Sequence, residues 1–147
     1  MTKTIMNSVD FDNYMCQTYP DLFKDRYADP KETLMCWGFS VGPGWHDILS
    51  ALCGNIQHYT EWNNKNFDKG YTQYKQVPPV TVVQVKEKFG TLRFYYDGGD
   101  EKIDGMVRMA ESMSAVTCEE CGKPGGSTGG SWIRTLCDEH REEYQGA

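Results

Sequence analysis

The sequence predicts an α+β protein in which helices pack on a small antiparallel sheet, followed by a short C-terminal segment of different character. One observation is the helical spacing of apolar residues after Gly44, and a second is the alternating pattern of residues 80–88 and 91–96. The third is a change of composition at Cys118 to cysteine, glycine and charged residues. We therefore divide the chain into an α+β domain, residues 1–117, and a segment, residues 118–147, that packs on it.

Composition limits the classes of protein that this chain can belong to. The chain has 147 residues, of which 39% are hydrophobic and 24% charged, which suits one domain with a buried core and not a disordered chain. No apolar run is long enough to span a membrane, and the N-terminus lacks the apolar core of a signal peptide, so we expect a cytoplasmic protein. The net charge of −6 disfavours a protein that coats duplex nucleic acid.

The first 40 residues predict one helix and one ambiguous strand. Ser8 is predicted to cap a helix with apolar residues at helical spacing, and Pro20 requires that this helix end shortly before it. Residues 33–40 are apolar and are predicted to form a strand, although their periodicity does not separate strand from helix.

The next stretch predicts the clearest helix of the protein and then a loop. A Gly-Pro-Gly breaker ends at Gly44, and the residues that follow place an apolar stripe on one helical face: Trp45, Ile48, Leu49, Leu52 and Ile56. Residues 60–79 are polar and aromatic, with paired asparagines and paired prolines, and are predicted to form a long exposed loop.

Residues 80–96 predict a β-hairpin whose register follows from parity. If Glu87 faces Leu92, an apolar face forms in which Val83 lies opposite Tyr96, whereas a shift by one residue would mix the two faces. After the hairpin, Asp100 is predicted to cap a helix with an apolar stripe: Ile103, Met106, Val107, Ala110 and Met113.

The other face of the hairpin carries a basic and aromatic cluster, composed of Gln84, Lys86, Lys88, Arg93 and Tyr95. Residues 80–95 have a net charge of +2, whereas the rest of the chain is net negative. Like charges directly opposite each other cost about 0.2–1 kcal/mol, so we expect a compensating group. Acidic side chains of Asp97, Asp100 or Asp104 are the commoner solution; the alternative is an anionic ligand, a nucleotide or a partner's acidic surface, stacked on Tyr95.

Four residues near the C-terminus have metal-ligand spacing: Cys118, Cys121, Cys137 and His140. The first two and the last two of these residues form two closely spaced pairs, and a glycine-rich loop separates the pairs. This is the ligand pattern of a zinc ribbon or knuckle. Since Cys137 and His140 are three residues apart, we expect them on one face of a final helix. Four protein ligands predict structural Zn²⁺; a disulfide is the alternative, disfavoured because no export signal supports an oxidising compartment.

Two further features are weak indications of function. The Gly-Pro-Gly turn before a helix could bind phosphate through free backbone N–H groups, although a plain turn is the commoner case. His46 and Asp47 have no recognisable nucleophile beside them, so an enzyme with an unrecognised site is disfavoured.

Three segments, CWGFSVGPGWHDILSALC, VVQVKEKFGTLRFYYDGG and CEECGKPGG…WIRTLCDEH, resemble blocks of an uncharacterised family of small bacteriophage and prophage proteins. The resemblance covers about two-thirds of the chain, from Cys36 onward, and its metal pattern carries onto the two cysteine-containing pairs without a gap. It implies a phage setting and a zinc site, and no catalytic activity.

We therefore expect a non-enzymatic, zinc-binding phage protein of the host cytoplasm that counters a host defence system. Its partner would be a nucleotide-type anionic ligand that it sequesters or a host protein that it inhibits. The alternative is a nucleic-acid-binding zinc-ribbon regulator, against which the net charge of −3 on residues 118–147 counts. The sequence leaves the oligomeric state open.

Overall fold

The computed structural model describes residues 5–145 and shows an α+β architecture. Four α-helices follow in chain order: α1, Ser8–Thr18; α2, His46–Asp68; α3, Glu101–Ser114; and α4, Asp138–Gln145. Five strands accompany them: β1, Phe39–Ser40; β2, Thr81–Lys88; β3, Thr91–Asp97; β4, Gly126–Ser127; and β5, Thr135–Leu136. No helix within residues 5–145 combines the length and the apolar character that crossing a membrane requires.

The main sheet has three strands in the order β1-β2-β3, and it is mixed instead of antiparallel as predicted. β2 and β3 form the expected antiparallel hairpin, while β1 pairs with β2 in parallel through Phe39 and Val85. A parallel partner must come from a distant part of the chain, so no local sequence pattern indicates it. β4 and β5 form a separate antiparallel pair in the C-terminal segment.

The predicted hairpin register is confirmed over residues 84–88 and their partners on β3. It is wrong at the start of β2, where an irregularity between Val82 and Gln84 makes Val82, and not Val83, the partner of Tyr96. The extra residue turns Val82 toward the core, where it is fully buried. The bulge thus places Val82 on the same inner face as Val85.

The core lies between the inner face of this sheet and helices α1 to α3. Its largest fully buried side chains come from every part of the chain: Met15, Met35, Trp45, Leu49, Ile56 and Leu92. α3 also covers the free edge of β3, because Ser114 Oγ accepts the Leu92 N–H at 2.9 Å and Glu111 accepts the Phe94 N–H at 3.0 Å. These bonds satisfy strand donors that would otherwise face solvent.

Two predictions near the N-terminus are corrected. Asn7, and not Ser8, caps α1, since its side chain accepts the Asp10 N–H at 2.8 Å. The predicted strand over residues 33–40 is a short 3₁₀ turn, Met35–Trp37, followed by only two strand residues. Gly38 separates the two with φ of 74°, a left-handed conformation that interrupts an extended strand.

The loop predicted over residues 60–79 is wrong in its first half, because α2 continues to Asp68. This part of α2 lacks an apolar stripe, and amide side chains hold the following segment against it. Asn64 accepts the Val77 N–H at 2.8 Å and donates to the Val77 carbonyl at 3.0 Å, while Asn63 donates to the Lys75 carbonyl at 2.6 Å. These side-chain bonds satisfy backbone groups of residues 75–77, which an adjacent strand would satisfy in a sheet.

Asn64→Ala is expected to lower the free energy of unfolding by about 2 kcal/mol, because it leaves both backbone groups of buried Val77 without a partner. Denaturant unfolding followed by circular dichroism measures the change. Asn66→Ala is the matched control, since the Asn66 side chain donates to the Trp62 carbonyl within the same helix, and should cost less than about 0.5 kcal/mol. Equal losses in the two variants would contradict this account of how α2 is extended.

Candidate metal centre and basic hairpin face

The first two candidate ligands, Cys118 and Cys121, lie on one tight turn. The Gly122 N–H donates to the Cys118 carbonyl at 2.9 Å, and the Cys118 N–H donates to the Lys123 carbonyl at 2.7 Å. Gly122 has φ of 81°, a conformation that glycine adopts without strain and that closes the turn. Both sulfur atoms are therefore presented to the same side of the backbone.

The second pair opens the final helix, as the spacing predicted. Cys137 immediately precedes α4, and His140 lies in its first turn. The Arg141 N–H donates to the Cys137 carbonyl at 2.8 Å and so begins the helical hydrogen bonding at this cysteine. β5 ends at Leu136, which places the start of the helix beside the cysteine turn.

The ligand atoms of all four residues lie within 4.8 Å of one another, an arrangement that could hold a metal ion. His140 Nδ1 is 3.6 Å from Cys118 Sγ and 3.2 Å from Cys137 Sγ, and the Cys121 and Cys137 sulfurs are 3.7 Å apart. A disulfide requires about 2.05 Å between sulfurs, and all six cysteines of the chain are free thiols. The four side chains thus converge on a common point without bonding to each other.

The thiols of buried Cys118 and half-buried Cys121 differ in the direction of their pKa shifts. Burial raises the pKa of the Cys118 thiol, but backbone hydrogen bonds from Cys137, Cys121 and Glu120 outweigh it, and the net pKa is lowered. Burial and the neighbouring thiols of Cys118 and Cys137 together raise the pKa of Cys121 to about 11, against a backbone hydrogen bond at Lys123 that lowers it. The thiolate is the form of cysteine that binds metal ions.

The Gly-Pro-Gly turn before α2 is the docking site of this cluster. The Gly44 N–H donates to the Glu119 carbonyl at 2.6 Å, and the Gly42 N–H donates to Glu119 Oε2 at 2.8 Å. Trp45 Nε1 donates to the Thr117 carbonyl at 2.9 Å. The Gly42 and Gly44 amide donors considered as phosphate ligands from the sequence are therefore used within the protein.

Glu119 is a key residue of this contact that the sequence did not indicate. It lies between two candidate ligands yet is only 5% exposed. Burial raises the pKa of the Glu119 carboxyl above its ordinary value. The Gly42 N–H and the Arg134 guanidinium, whose Nη2 is 3.7 Å from Glu119 Oε1, reduce this rise without cancelling it. The adjacent Glu120 is half-exposed and pairs with Arg134 at 2.6 Å. Because Glu119 and Glu120 have the same side chain, the sequence does not show which of the two is buried.

The structure places all five predicted residues of the basic cluster on the outer face of the β2–β3 hairpin. Lys86 lies directly opposite Arg93, and Gln84 lies opposite Tyr95. The ammonium group of Lys86 is 5.9 Å from the centre of the Tyr95 ring, which is 43% exposed. Lys88 is exposed at the end of the strand.

The acidic residues considered as compensators do not neutralise this face. Within residues 5–145, no ion pair involves any of the three hairpin cations. Asp100 instead accepts from the Tyr59 hydroxyl and caps α3, and Asp104 accepts from the Tyr96 hydroxyl. Arg93 Nε is buried without a hydrogen-bond partner in the described part of the chain. The outer face therefore keeps its positive charge.

No protein-family model, curated protein or solved structure matches the chain. The functional argument therefore depends on the two sites described above.

Proposed function

We propose that the protein is a non-enzymatic, zinc-stabilised binding protein that takes a nucleotide-type anion on the outer face of the β2–β3 hairpin. The observation that carries the proposal is a set of three cations on the face that also bears the exposed Tyr95 ring, none of them ion-paired within residues 5–145. Lys86 lies beside that ring, and Lys88 lies over the Phe89 ring at the hairpin turn. An anionic ligand would supply the missing countercharge.

The geometry of the cysteine-histidine cluster supports Zn²⁺ as the bound ion. A tetrahedral zinc with Zn–S bonds of about 2.3 Å and Zn–N bonds of about 2.1 Å has S···S edges near 3.8 Å and S···N edges near 3.6 Å. The Cys121–Cys137 separation of 3.7 Å and the Cys118–His140 separation of 3.6 Å agree with these edges, whereas the Cys137–His140 separation of 3.2 Å is shorter than such an edge. Four protein ligands leave no position for substrate, so the ion would be structural, in a ribbon or knuckle segment.

The chemistry of the hairpin face supports a phosphate-bearing ligand. The guanidinium of Arg93 can form two parallel hydrogen bonds to one phosphate, and Lys86 adds a point charge directly across the strand pair. Tyr95, half-exposed beside these cations, offers a ring on which a base can stack. In the phage setting implied by the sequence resemblance, the ligand would be a host signalling nucleotide and the role an anti-defence one.

The double variant Lys86→Ala/Arg93→Ala is expected to lose ligand binding while remaining folded. Removal of two opposed cations relieves repulsion, so the free energy of unfolding should stay constant or rise by up to about 1 kcal/mol. Native mass spectrometry of protein purified from a bacterial host measures the outcome. We expect one zinc and a nucleotide-sized additional mass on the wild type, and the zinc alone on the double variant.

Lys24→Ala/Lys31→Ala is the matched control, because it removes the same charge from two exposed positions outside the hairpin and should retain the ligand. A bound mass that persists in Lys86→Ala/Arg93→Ala would place the ligand elsewhere. A wild-type spectrum with zinc and no additional mass would overturn the nucleotide proposal in favour of a protein partner.

A further inference from the structure

We propose that a second surface, on the C-terminal half of α2 and the segment after it, binds single-stranded nucleic acid. This surface, called the Trp62 surface below, consists of three aromatic and three basic residues: Trp62, Tyr71, Tyr74, Lys65, Lys69 and Lys75. It is separate from the hairpin cations and from the candidate metal ligands, and goes beyond the function proposed above.

The helix contributes one continuous aromatic and basic face. Lys65 and Lys69 follow Trp62 at three and seven positions, so the three side chains lie on the same side of α2. Trp62 is 51% exposed, and both lysines are exposed. The nearby acidic residues, Glu61 and Asp68, are rotated from Trp62 by about 100° and about 120° around the helix axis. They lie on the Lys65 side of Trp62, four residues before and three residues after that lysine, so they border the aromatic and basic face at one edge.

The segment after α2 adds two more rings, held in place beside Trp62. The Tyr74 ring packs edge-on against Trp62 with centroids 5.3 Å apart, and the Tyr71 ring lies 6.5 Å from Tyr74. Tyr71 is 52% exposed. The hydrogen bond from Asn63 to the Lys75 carbonyl anchors this segment to the helix, and Lys75 itself is exposed. The rings are therefore ordered before any ligand arrives.

This combination favours unpaired bases over the alternatives. Exposed ring faces can stack on single-stranded bases of any sequence, whereas a duplex keeps its base faces stacked inside. None of the three lysines forms an ion pair in the part of the chain that the structure describes, which leaves them free to contact phosphates. The overall charge of −6 confines such binding to this local patch and excludes a long duplex track.

Fluorescence anisotropy with a labelled oligothymidine of about 16 nucleotides tests the proposal at several salt concentrations. We expect Trp62→Ala to weaken binding by about tenfold through lost stacking. Three phosphate contacts predict a slope of log K against log salt near −2, and Lys65→Glu/Lys69→Glu should abolish most of that slope. Duplex DNA of the same length should bind more weakly than the single strand.

Two controls separate this surface from general charge and from the hairpin. Lys24→Glu/Lys31→Glu makes the same change in net charge at other exposed positions and should reduce affinity by less than about threefold. Lys86→Ala/Arg93→Ala should weaken oligothymidine binding by less than Trp62→Ala does, even if it removes the hairpin ligand. The proposal is overturned if wild-type protein does not bind the oligonucleotide at low salt, if both Lys→Glu pairs weaken it equally, or if only the hairpin variant loses it.

Discussion

Cys137→Ser is expected to remove the bound zinc and to unfold the C-terminal segment. The buried apolar cluster of this segment is small, consisting of Cys118, Leu136 and Cys137 with Cys121 and Tyr144 packed against it. Two of its three buried members are candidate ligands, so little apolar burial remains to hold the segment once the ion is lost. Structural zinc supplies apparent binding free energies of about 10–16 kcal/mol to such segments, the largest single stabilising contribution expected in this protein.

Native mass spectrometry and thermal unfolding followed by circular dichroism measure this effect. We expect one zinc on the wild type, none on Cys137→Ser, and a clear fall in Tm that a strong chelator reproduces on the wild type. Cys36→Ser is the matched control, because Cys36 Sγ only contacts the Thr33 carbonyl at 3.3 Å, and a hydroxyl can make the same bond. Retention of zinc and Tm by Cys137→Ser would show that this residue is not a ligand.

Gly44→Ala is expected to produce the second largest effect, by separating the metal-binding segment from the α+β domain. A Cβ atom at Gly44 would lie 2.0 Å from the Cys118 carbonyl oxygen and 2.6 Å from the Glu119 carbonyl carbon. Both are backbone atoms, so neither can move aside as a flexible side chain would. The added methyl must displace the turn and break the hydrogen bond from the Gly44 N–H, at a cost of about 3 kcal/mol or more.

Denaturant unfolding of Gly44→Ala and of a matched control, Gly105→Ala, distinguishes this contact from a general effect of glycine replacement. Gly105 lies inside α3 with no atom within 4 Å of the position of its added Cβ, so alanine should stabilise the protein by about 1 kcal/mol. Opposite signs for the two substitutions are the expected result. A neutral Gly44→Ala would show that the two parts of the chain do not depend on this turn.

The zinc content of Gly44→Ala separates the docking contact from metal binding. The four candidate ligands lie within residues 118–140, and none of them is on the turn that Gly44 forms. We therefore expect Gly44→Ala to retain zinc while it loses stability, whereas Cys137→Ser loses both.

Features that depend on local spacing were predictable from the amino-acid sequence. The period of the apolar residues predicted α2 and α3, and the alternation along residues 80–96 predicted the hairpin with its register over residues 84–88. The spacing of two cysteine-containing pairs predicted a four-residue cluster, and the structure brings those residues together. In each case, side chains that act together are a few positions apart, or are related by the geometry of a single turn or hairpin.

Features that depend on residues far apart in the chain became visible only in the folded protein. The parallel pairing of Phe39 with Val85 and the burial of Glu119 against the Gly42 N–H have no counterpart in any local pattern. Hydrogen bonds between Asn64 and Val77 stabilise the polar C-terminal end of α2. The sequence pattern predicted a loop there because this part of the helix has no apolar stripe. Within the described residues 5–145 the hairpin cations likewise form no ion pair, because nearby Asp100 and Asp104 bond to tyrosines instead. These pairings depend on which groups the fold brings within contact distance, since hydrogen bonds and ion pairs act over only a few ångströms.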